Sequence, residues 1–325
     1  MPPRSVRAGA LLLALCPALF VTEGVRAQQY PTRPVRMVVG FAAGGATDIS
    51  ARTLAQKLSE TVGQQVVVDN RPGASSMLAG EIVARSAPDG YTLLLANATI
   101  AMPSLFAKLP FDVQKDLRPI TLAGYGPLAL TAHPSLPAKS IRELVALAKR
   151  KPGELNYASA GSGSFTHLAM ALFVTMTGTD MVHIPYKGGS PAAIATMTGE
   201  TQLAFSSVGA SIPAVRQGKL RAIAVSGLKR NTALPDVPTA SEAGVSGYDA
   251  TSWYGLFAPA ATPQAIVAKL GEQSVKALSD PHLKERLVAQ GIDSAIGGVD
   301  EFSAYLNIEI PKWTKVIKAA AIPPQ

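Results

Sequence analysis

The sequence of 325 residues has one cysteine and four histidines. The single cysteine, Cys16, lies in an apolar run near the N-terminus that we expect to be removed. The remaining chain then has no thiol for a disulfide or for a metal site. The histidines show no metal-ligand spacing either. We therefore predict neither a metal nor a cofactor, and a core that holds the fold without disulfides.

Aromatic residues make up 6% of the sequence and charged residues 16%, whereas 47% of the residues are hydrophobic. This composition is typical of a globular protein and excludes a disordered chain. The formal net charge is +8, but the basic residues are scattered. Nucleic-acid recognition uses clustered basic side chains and stacking aromatic residues. We therefore expect no nucleic-acid partner, and either plain solubility or a mild preference for anions.

The sequence also lacks a clear catalytic motif. The letters GGSPA at 188–192 come nearest to the nucleophile elbow G-x-S-x-G, and they lack its final glycine. Ser162 and His167 are close in sequence, but a catalytic triad depends on a geometry that spacing does not show. We predict that the protein is not an enzyme, with a secreted hydrolase or lyase as the alternative.

The N-terminus has the pattern of an export signal. Basic residues precede a largely apolar run at 8–21, and small residues lead up to Ala27. The apolar run is short for a membrane span. We predict that residues 1–27 are a signal peptide, that cleavage follows Ala27, and that the mature protein begins at Gln28 in the periplasm.

A glycine-rich turn joins a predicted strand at 35–39 to a predicted helix at 49–58. Gly44 and Gly45 permit backbone angles and close approaches that a Cβ atom blocks. A strand, a glycine turn and a helix N-terminus together leave backbone N–H groups unpaired, and this geometry favours an anion. The alternative is a tight turn without a ligand, because the turn matches neither the dinucleotide fingerprint nor the P-loop.

A second unit of the same kind is predicted further along the chain. It has a strand at 155–158, a glycine- and serine-rich turn at 159–164 and a helix at 166–177. Two such loops, one in each half of the protein, can hold one anion from opposite sides. A third glycine turn contains Lys187, which is either a solvated side chain or one that steers anions.

Strands and helices alternate along the chain, which predicts an α/β fold. The order strand–helix–strand–helix–strand between residues 35 and 96 indicates a parallel sheet covered by helices. After residue 259 the chain is predicted to be entirely helical. Pro311 is expected to kink or restart the last helix.

Two long apolar segments, at 120–132 and 251–259, are predicted to cross between two lobes. The first lobe is then discontinuous and consists of residues 28–126 and 251–325. Residues 127–250 form the second lobe. Paired crossings of this kind are typical of a hinge between two lobes.

Six segments together resemble one known family. They are FAAGGATD at 41–48, NRPGA at 70–74, DGYTLL at 89–94, HIPYKGG at 183–189, LPDVPT at 234–239 and WYGLFAP at 253–259. In this order they are similar to the Bug family, the periplasmic substrate-binding proteins of tripartite tricarboxylate transporters. The resemblance covers nearly all of the chain that follows the predicted signal peptide.

The resemblance implies a two-lobed periplasmic-binding-protein fold, similar to type II, in which each lobe is a mostly parallel sheet flanked by helices. It also implies a protein that closes on a small organic acid and delivers it to integral-membrane transporter subunits. We expect this protein to be a monomer. A sensor subunit that presents its ligand state to a membrane receptor is the alternative.

In this family, backbone groups and ordered water on two facing loops hold the ligand. The resemblance therefore implies a set of ligand-binding positions in the two loops and beside them. They are Phe41, Ala42, Gly44, Gly45, Ala46, Asp48, Asn97, Ser159, Ala160, Gly161, Ser162, Gly163, Ser164, Thr166, Tyr186, Lys187, Gly188 and Ser206. Asp48 is either such a contact or a residue that stabilises the helix N-terminus.

The sequence departs from the family pattern at two places. The family often has two prolines where Ala42 and Ala43 stand, and Phe-Asp-Asn where this chain has Phe205, Ser206 and Ser207. The missing carboxylate argues against an amine-bearing ligand such as an amino acid. Linear dicarboxylates, tricarboxylates and aromatic acids all stay open.

Overall fold

The computed structural model describes residues 30–106, 108–320, 322 and 324. The predicted signal peptide and the predicted start at Gln28 lie outside these residues. The strands are Val35–Val39 (β1), Val66–Asn70 (β2), Thr92–Asn97 (β3), Leu117–Ala132 (β4), Asn156–Ser159 (β5), Val182–Pro185 (β6), Leu203–Ser207 (β7), Arg221–Val225 (β8), Thr251–Pro259 (β9) and Asp293–Gly297 (β10).

Ten α-helices cover the strands within the described part of the chain. They are Ala46–Val62 (α1), Met77–Ala84 (α2), Val113–Asp116 (α3), Ile141–Arg150 (α4), Phe165–Thr177 (α5), Gly189–Met197 (α6), Val208–Arg216 (α7), Gln264–Leu278 (α8), Pro281–Ala289 (α9) and Val299–Ala319 (α10). Short 3₁₀ helices span Ala74–Ser76, Ala98–Ala101 and Pro103–Leu105. None of the described helices is both long enough and apolar enough to span a bilayer.

The long crossing strand β4 joins two sheets, and the crossing strand β9 pairs with it in the first sheet. In the first sheet, β1 pairs in parallel with β2 and β3, whereas β3, β9, β4 and β10 pair antiparallel. In the second sheet, β5 pairs in parallel with β6 and β7, and β4 runs antiparallel to β7 and β8. The α/β fold with two lobes is thus confirmed, with parallel strands outside and antiparallel pairs around the crossings.

Strand β4 passes directly from one sheet to the other. Up to Pro127 it pairs with β9, and from Leu128 onward it pairs with β7. We call the part built on the first sheet lobe 1 and the part built on the second sheet lobe 2. This change of partner supports our proposal that the lobes meet near residues 126–127 and 250–251.

The buried strands show why these segments fold as a sheet. Leu93, Leu94 and Leu95 of β3 are fully buried on both faces, as expected for an interior strand covered by helices. Helix α1 packs its own buried Leu54 and Leu58 onto this sheet in one core cluster. The glycine loop before α1 is therefore held between two rigid elements.

The sequence prediction was wrong for residues 293–297, which form strand β10 and not part of a helix. The segment pairs antiparallel with β4 after a sharp turn at Gly291, where φ is +71°. A strand of five residues is too short to show a period against the surrounding helical pattern. Helix α10 also continues through Pro311 as one helix and does not restart there.

Candidate functional site

A cleft of about 300 Å³ lies between the lobes. It opens at the carboxyl ends of β1, β3, β5 and β7, where ligands bind in open α/β sheets. Lobe 1 contributes the loop after β1 and Asn97, and lobe 2 contributes Ala160, Ser164 and Ser206. Among the described residues that line the cleft, none is Lys, Arg, Asp or Glu.

Four helices begin at this cleft, one in lobe 1 and three in lobe 2. Residues at or beside the first turns of α1, α5, α6 and α7 all line it. The first-turn N–H groups of a helix have no partner inside the helix, and the helix dipole places partial positive charge there. The cleft is thus positive without a cationic side chain, which suits an anion.

The lobe 1 loop presents backbone donors. Gly44 has φ +83°. Gly45 is the N-cap residue of α1 and, having no side chain, leaves the first N–H groups of the helix without a side-chain acceptor. The backbone N–H groups of Gly45, Ala46 and Thr47 donate no hydrogen bond to the described chain. All three residues line the cleft, so these N–H groups are available to a ligand.

Asp48 stabilises this loop from beneath and does not line the cleft. Its side chain is 2% exposed and accepts hydrogen bonds from the N–H of Gly44 (2.9 Å) and from Asn70 Nδ2 (2.9 Å). Arg52 Nε donates to it at 3.1 Å, and Asn70 Nδ2 also donates to the carbonyl of Phe41. Burial acts to raise the pKa of Asp48, but the hydrogen bonds from Arg52, Gly44 and Asn70 outweigh it and lower the pKa.

The lobe 2 loop uses its own N–H groups internally. Ala160 N–H donates to Thr166 Oγ1 (2.9 Å) and Gly161 N–H donates to Ser159 Oγ (3.1 Å). Ser164 caps α5 by accepting from the N–H of His167 at 3.3 Å. The donors that lobe 2 offers to the cleft are therefore at the starts of α5, α6 and α7 and on the cleft hydroxyls.

Helix α5 places a buried histidine directly behind this loop. The rings of His167 and His183 are stacked, with centroids 3.8 Å apart and planes 5° apart. Burial, and then the neighbouring His183, lower the pKa of His167 to about 4. Burial also lowers the pKa of His183. His167 lies outside the cleft lining, and the described residues contain no cluster of three or more groups suited to a metal ion.

The structure brings half of the predicted ligand-binding residues to the cleft. Those that line it are Phe41, Gly44, Gly45, Ala46, Asn97, Ala160, Ser164, Thr166 and Ser206. Those that do not line it are Ala42, Asp48, Ser159, Gly161, Ser162, Gly163, Tyr186, Lys187 and Gly188. Of the second group, Asp48 and Ser159 are buried and bond to the loops, whereas Ala42, Ser162 and Lys187 are exposed to solvent. The hydroxyl of Tyr186 donates to Glu200 at 2.7 Å.

Several lining residues were missed by the sequence reasoning. They include Leu128, Gly209, Ala210, Ser252, Tyr254 and Gln290. Leu128, Ser252 and Tyr254 lie on the crossing strands, and Leu128 is the residue from which β4 pairs with β7 instead of β9. The predicted crossings were the available signal for these three. Gln290 and Gly209 come from opposite lobes and meet through a bond from Gly209 N–H to the Gln290 carbonyl (3.2 Å).

The two lobes, the crossing strands and the uncharged cleft with converging helix starts are typical of a solute-binding receptor of the periplasmic type. The sequence model of the family described as "Tripartite tricarboxylate transporter family receptor" matches residues 50–322. Protein BugT of Bordetella pertussis is 36% identical over 314 residues, which cover 94% of this chain and 96% of BugT. The chain belongs to this family, as the six motifs predicted.

Solved structures agree. Rpa4515 of R. palustris, solved with adipate, is 35% identical with a TM-score of 0.85 and covers 91% of this chain and 100% of its own. MatC from Rhodopseudomonas palustris, solved with bound malate, is 33% identical with a TM-score of 0.80 and covers 89% of this chain and 100% of its own. The family consists of solute-binding receptors. The protein is therefore a receptor and not an enzyme, and the hydrolase alternative is wrong.

Proposed function

We propose that the protein captures a small organic acid in the cleft between its lobes and delivers it to a tripartite tricarboxylate-type membrane transporter. The observation that carries the proposal is the convergence of four helix N-termini on a cleft without charged side chains. The adipate and malate in the related structures support a carboxylate as the ligand.

The cleft suits a carboxylate attached to a short carbon skeleton. A hydrogen bond to a charged group contributes about 1.5–3 kcal/mol, so the free N–H groups of Gly45, Ala46 and Thr47 suffice to hold one carboxylate. Phe41 and Phe165 supply apolar contact for the carbon atoms. The cleft hydroxyls of lobe 2 provide further donors for a second polar end.

A panel of acids tests the ligand class. We expect adipate, malate, citrate or benzoate to raise the melting temperature, because a ligand that binds only the folded form stabilises it. Isothermal titration then gives the affinity. If no small carboxylate in a broad panel raised the melting temperature, the proposal would fail.

Glutarate and glutamate form a matched pair that differs in one ammonium group. No Asp or Glu side chain among the described lining residues can pair with that ammonium group. Burying an unpaired charge is costly, so we expect glutamate to bind at least about tenfold more weakly than glutarate. Tighter binding of glutamate in a side-by-side titration would contradict the proposed cleft chemistry.

Closure is the proposed mechanism. The acid contacts the loop at 41–47 and the start of α5 together only when the lobes approach, so it favours the closed form. Closure also removes water and strengthens the N–H contacts. We expect saturating ligand to lower the radius of gyration in small-angle scattering. Tight binding with an unchanged radius would favour a preformed pocket.

Export and delivery complete the proposal. The predicted signal peptide ends at Ala27, and the mature chain is then expected to begin within a few residues of Gln28. Intact-mass measurement of protein from the periplasm checks this, and retention of residues 1–27 would overturn it. Loss of acid uptake in cells that lack the protein would support transport, whereas unchanged uptake would favour the sensor alternative.

A further inference from the structure

Two histidines that the proposed binding mode does not use lie behind the lobe 2 loop. His167 of α5 and His183 of β6 stack with ring centroids 3.8 Å apart. The ring of Tyr157 of β5 lies beside both imidazoles, with its centroid 5.1 Å from that of His183 and 6.4 Å from that of His167. Three consecutive elements of lobe 2 thus meet at one aromatic stack beneath the loop at 159–164.

Both imidazoles are bonded to this loop. The N–H of Gly163 donates to Nδ1 of His167 at 3.1 Å, so Nδ1 carries a lone pair and the ring proton is assigned to Nε2. Ser159 Oγ donates to the Gly161 carbonyl at 3.1 Å and accepts from the N–H of Gly161, so Nε2–H of His183, 2.6 Å away, is assigned as a second donor to this hydroxyl. The start and the end of the loop each depend on one ring of the pair.

A proton on His167 removes the bond to the loop. Protonated Nδ1 is a donor and cannot accept from the N–H of Gly163. The charge would also lie against His183 in a buried stack, where a second charge is strongly disfavoured. Among the described residues, the titratable group in contact with both imidazoles is Tyr157, whose phenol stays neutral because burial raises its pKa to about 12.

We propose that His167 and His183 are positioning residues that hold the loop at 159–164 in its binding conformation only while they are uncharged. Uptake of a proton by the pair then loosens the loop and weakens ligand binding. The effect on ligand rests on the proposed function, whereas the effect on the loop does not. The device makes the receptor release its ligand in an acidic medium.

The direction of the pH dependence follows from the lowered pKa of His167. The ordinary value is 6.5 and the value in the folded protein is about 4. The unfolded or loosened loop binds more protons than the ordered loop between these values. Stability of the ordered loop is therefore complete above about pH 6.5 and is lost as pH falls toward about 4.

Hydrogen exchange tests the loop without any ligand. The variant His167→Asn places an amide oxygen near the position of Nδ1 and cannot titrate, so it keeps an acceptor for the N–H of Gly163. Between about pH 7.5 and pH 4.5 we expect wild-type protection of residues 159–166 to fall about tenfold more than that of the variant, after correction for intrinsic exchange. Equal curves for the two proteins would overturn the proposal.

Two further variants guard against a folding defect and against a general acid effect. His183→Gln keeps a polar atom near Nε2, and we expect it to flatten the profile in the same direction. His282→Gln changes an exposed imidazole on α9, outside lobe 2, and we expect it to keep the wild-type profile. A flattened profile for His282→Gln would show that the pair is not responsible.

Adipate titrations extend the test to affinity. The carboxyl groups of adipate gain protons over the same range, so the quantity compared is the ratio of wild-type to His167→Asn affinity at each pH. We expect this ratio to fall about tenfold by about pH 4.5. A constant ratio would overturn the link to binding. If adipate does not bind near neutral pH, the proposed ligand fails, and the exchange experiment alone decides the role of the pair.

Discussion

Replacing Gly44 by valine is expected to lower the affinity for the bound acid by about 100-fold, which corresponds to the loss of about one strong charge-assisted hydrogen bond. Gly44 has φ +83°, where a β-branched residue is strongly disfavoured. Its N–H also holds Asp48, so a shift here moves the donors of Gly45 and Ala46. Gly161→Val is expected to act similarly, because φ is +126° and its Cβ would lie 3.3 Å from the carbonyl oxygen of Tyr186.

The chain offers a matched control for each substitution. Gly63 ends the same helix that the Gly44 loop begins and has φ +75°, and Gly178 ends α5 with φ +59°. Neither has an atom within 4 Å of an added Cβ. Gly63→Val and Gly178→Val should show similar strain, roughly 1–2 kcal/mol, yet bind at wild-type affinity. If Gly44→Val and Gly161→Val both bound normally in isothermal titration, the two loops would not be the site.

The two loops could be predicted from short-range patterns in the sequence. A strand followed by glycine and then by a capped helix is a short-range signal, and it located Gly44, Gly45, Ser164 and Thr166 at the cleft. The same signal could not decide the direction of a side chain. From the sequence, Asp48 could either contact the ligand or stabilise the helix N-terminus. The hydrogen bonds that its carboxylate accepts from Gly44 and Asn70 show that it stabilises the loop.

Contacts between distant segments explain what the sequence did not show. An added Cβ at Gly209 would lie 2.6 Å from the carbonyl oxygen of Gln290, so the two lobes meet there because neither residue projects a side chain into the contact. No periodicity predicts a pairing across such a separation. Strand β10 was missed for the same reason, since its only sheet partner, within the described chain, is β4. The stacking of His167 on His183 likewise could not be predicted from their spacing in the sequence.

Replacing Glu309 by alanine is expected to lower the free energy of unfolding by about 3–5 kcal/mol, as removal of one partner of a buried charged network does. Glu309 lies on α10 and is 2% exposed. Its carboxylate accepts from the indole N–H of Trp253 at 3.2 Å and of Trp313 at 2.9 Å, and it pairs with Lys312 at 3.0 Å. The substitution leaves two buried indole donors without an acceptor.

Urea unfolding measures the loss of unfolding free energy, and two further variants serve as comparisons. Glu309→Gln keeps an oxygen for the indoles and should cost less, about 1–2 kcal/mol. Glu154→Ala removes an exposed pair with Lys151, whose side chains are 60% and 52% exposed, and should change stability by less than about 1 kcal/mol. Equal effects for Glu309→Ala and Glu154→Ala would show that α10 is not held to the crossing strand in this way.

The same carboxylate lies in a chain of contacts from the cleft to the crossing strand β9. Phe165 lines the cleft, and its ring meets the ring of Trp313 edge-on at 5.1 Å. Trp313 shares Glu309 with Trp253 on the crossing strand β9, and these are the two tryptophans of the chain. Ligand that displaces Phe165 should therefore change tryptophan emission in the wild type. We expect Glu309→Ala to reduce that change while Glu154→Ala keeps it. An unaltered response in Glu309→Ala would show that these contacts do not couple the cleft to the crossing strand β9.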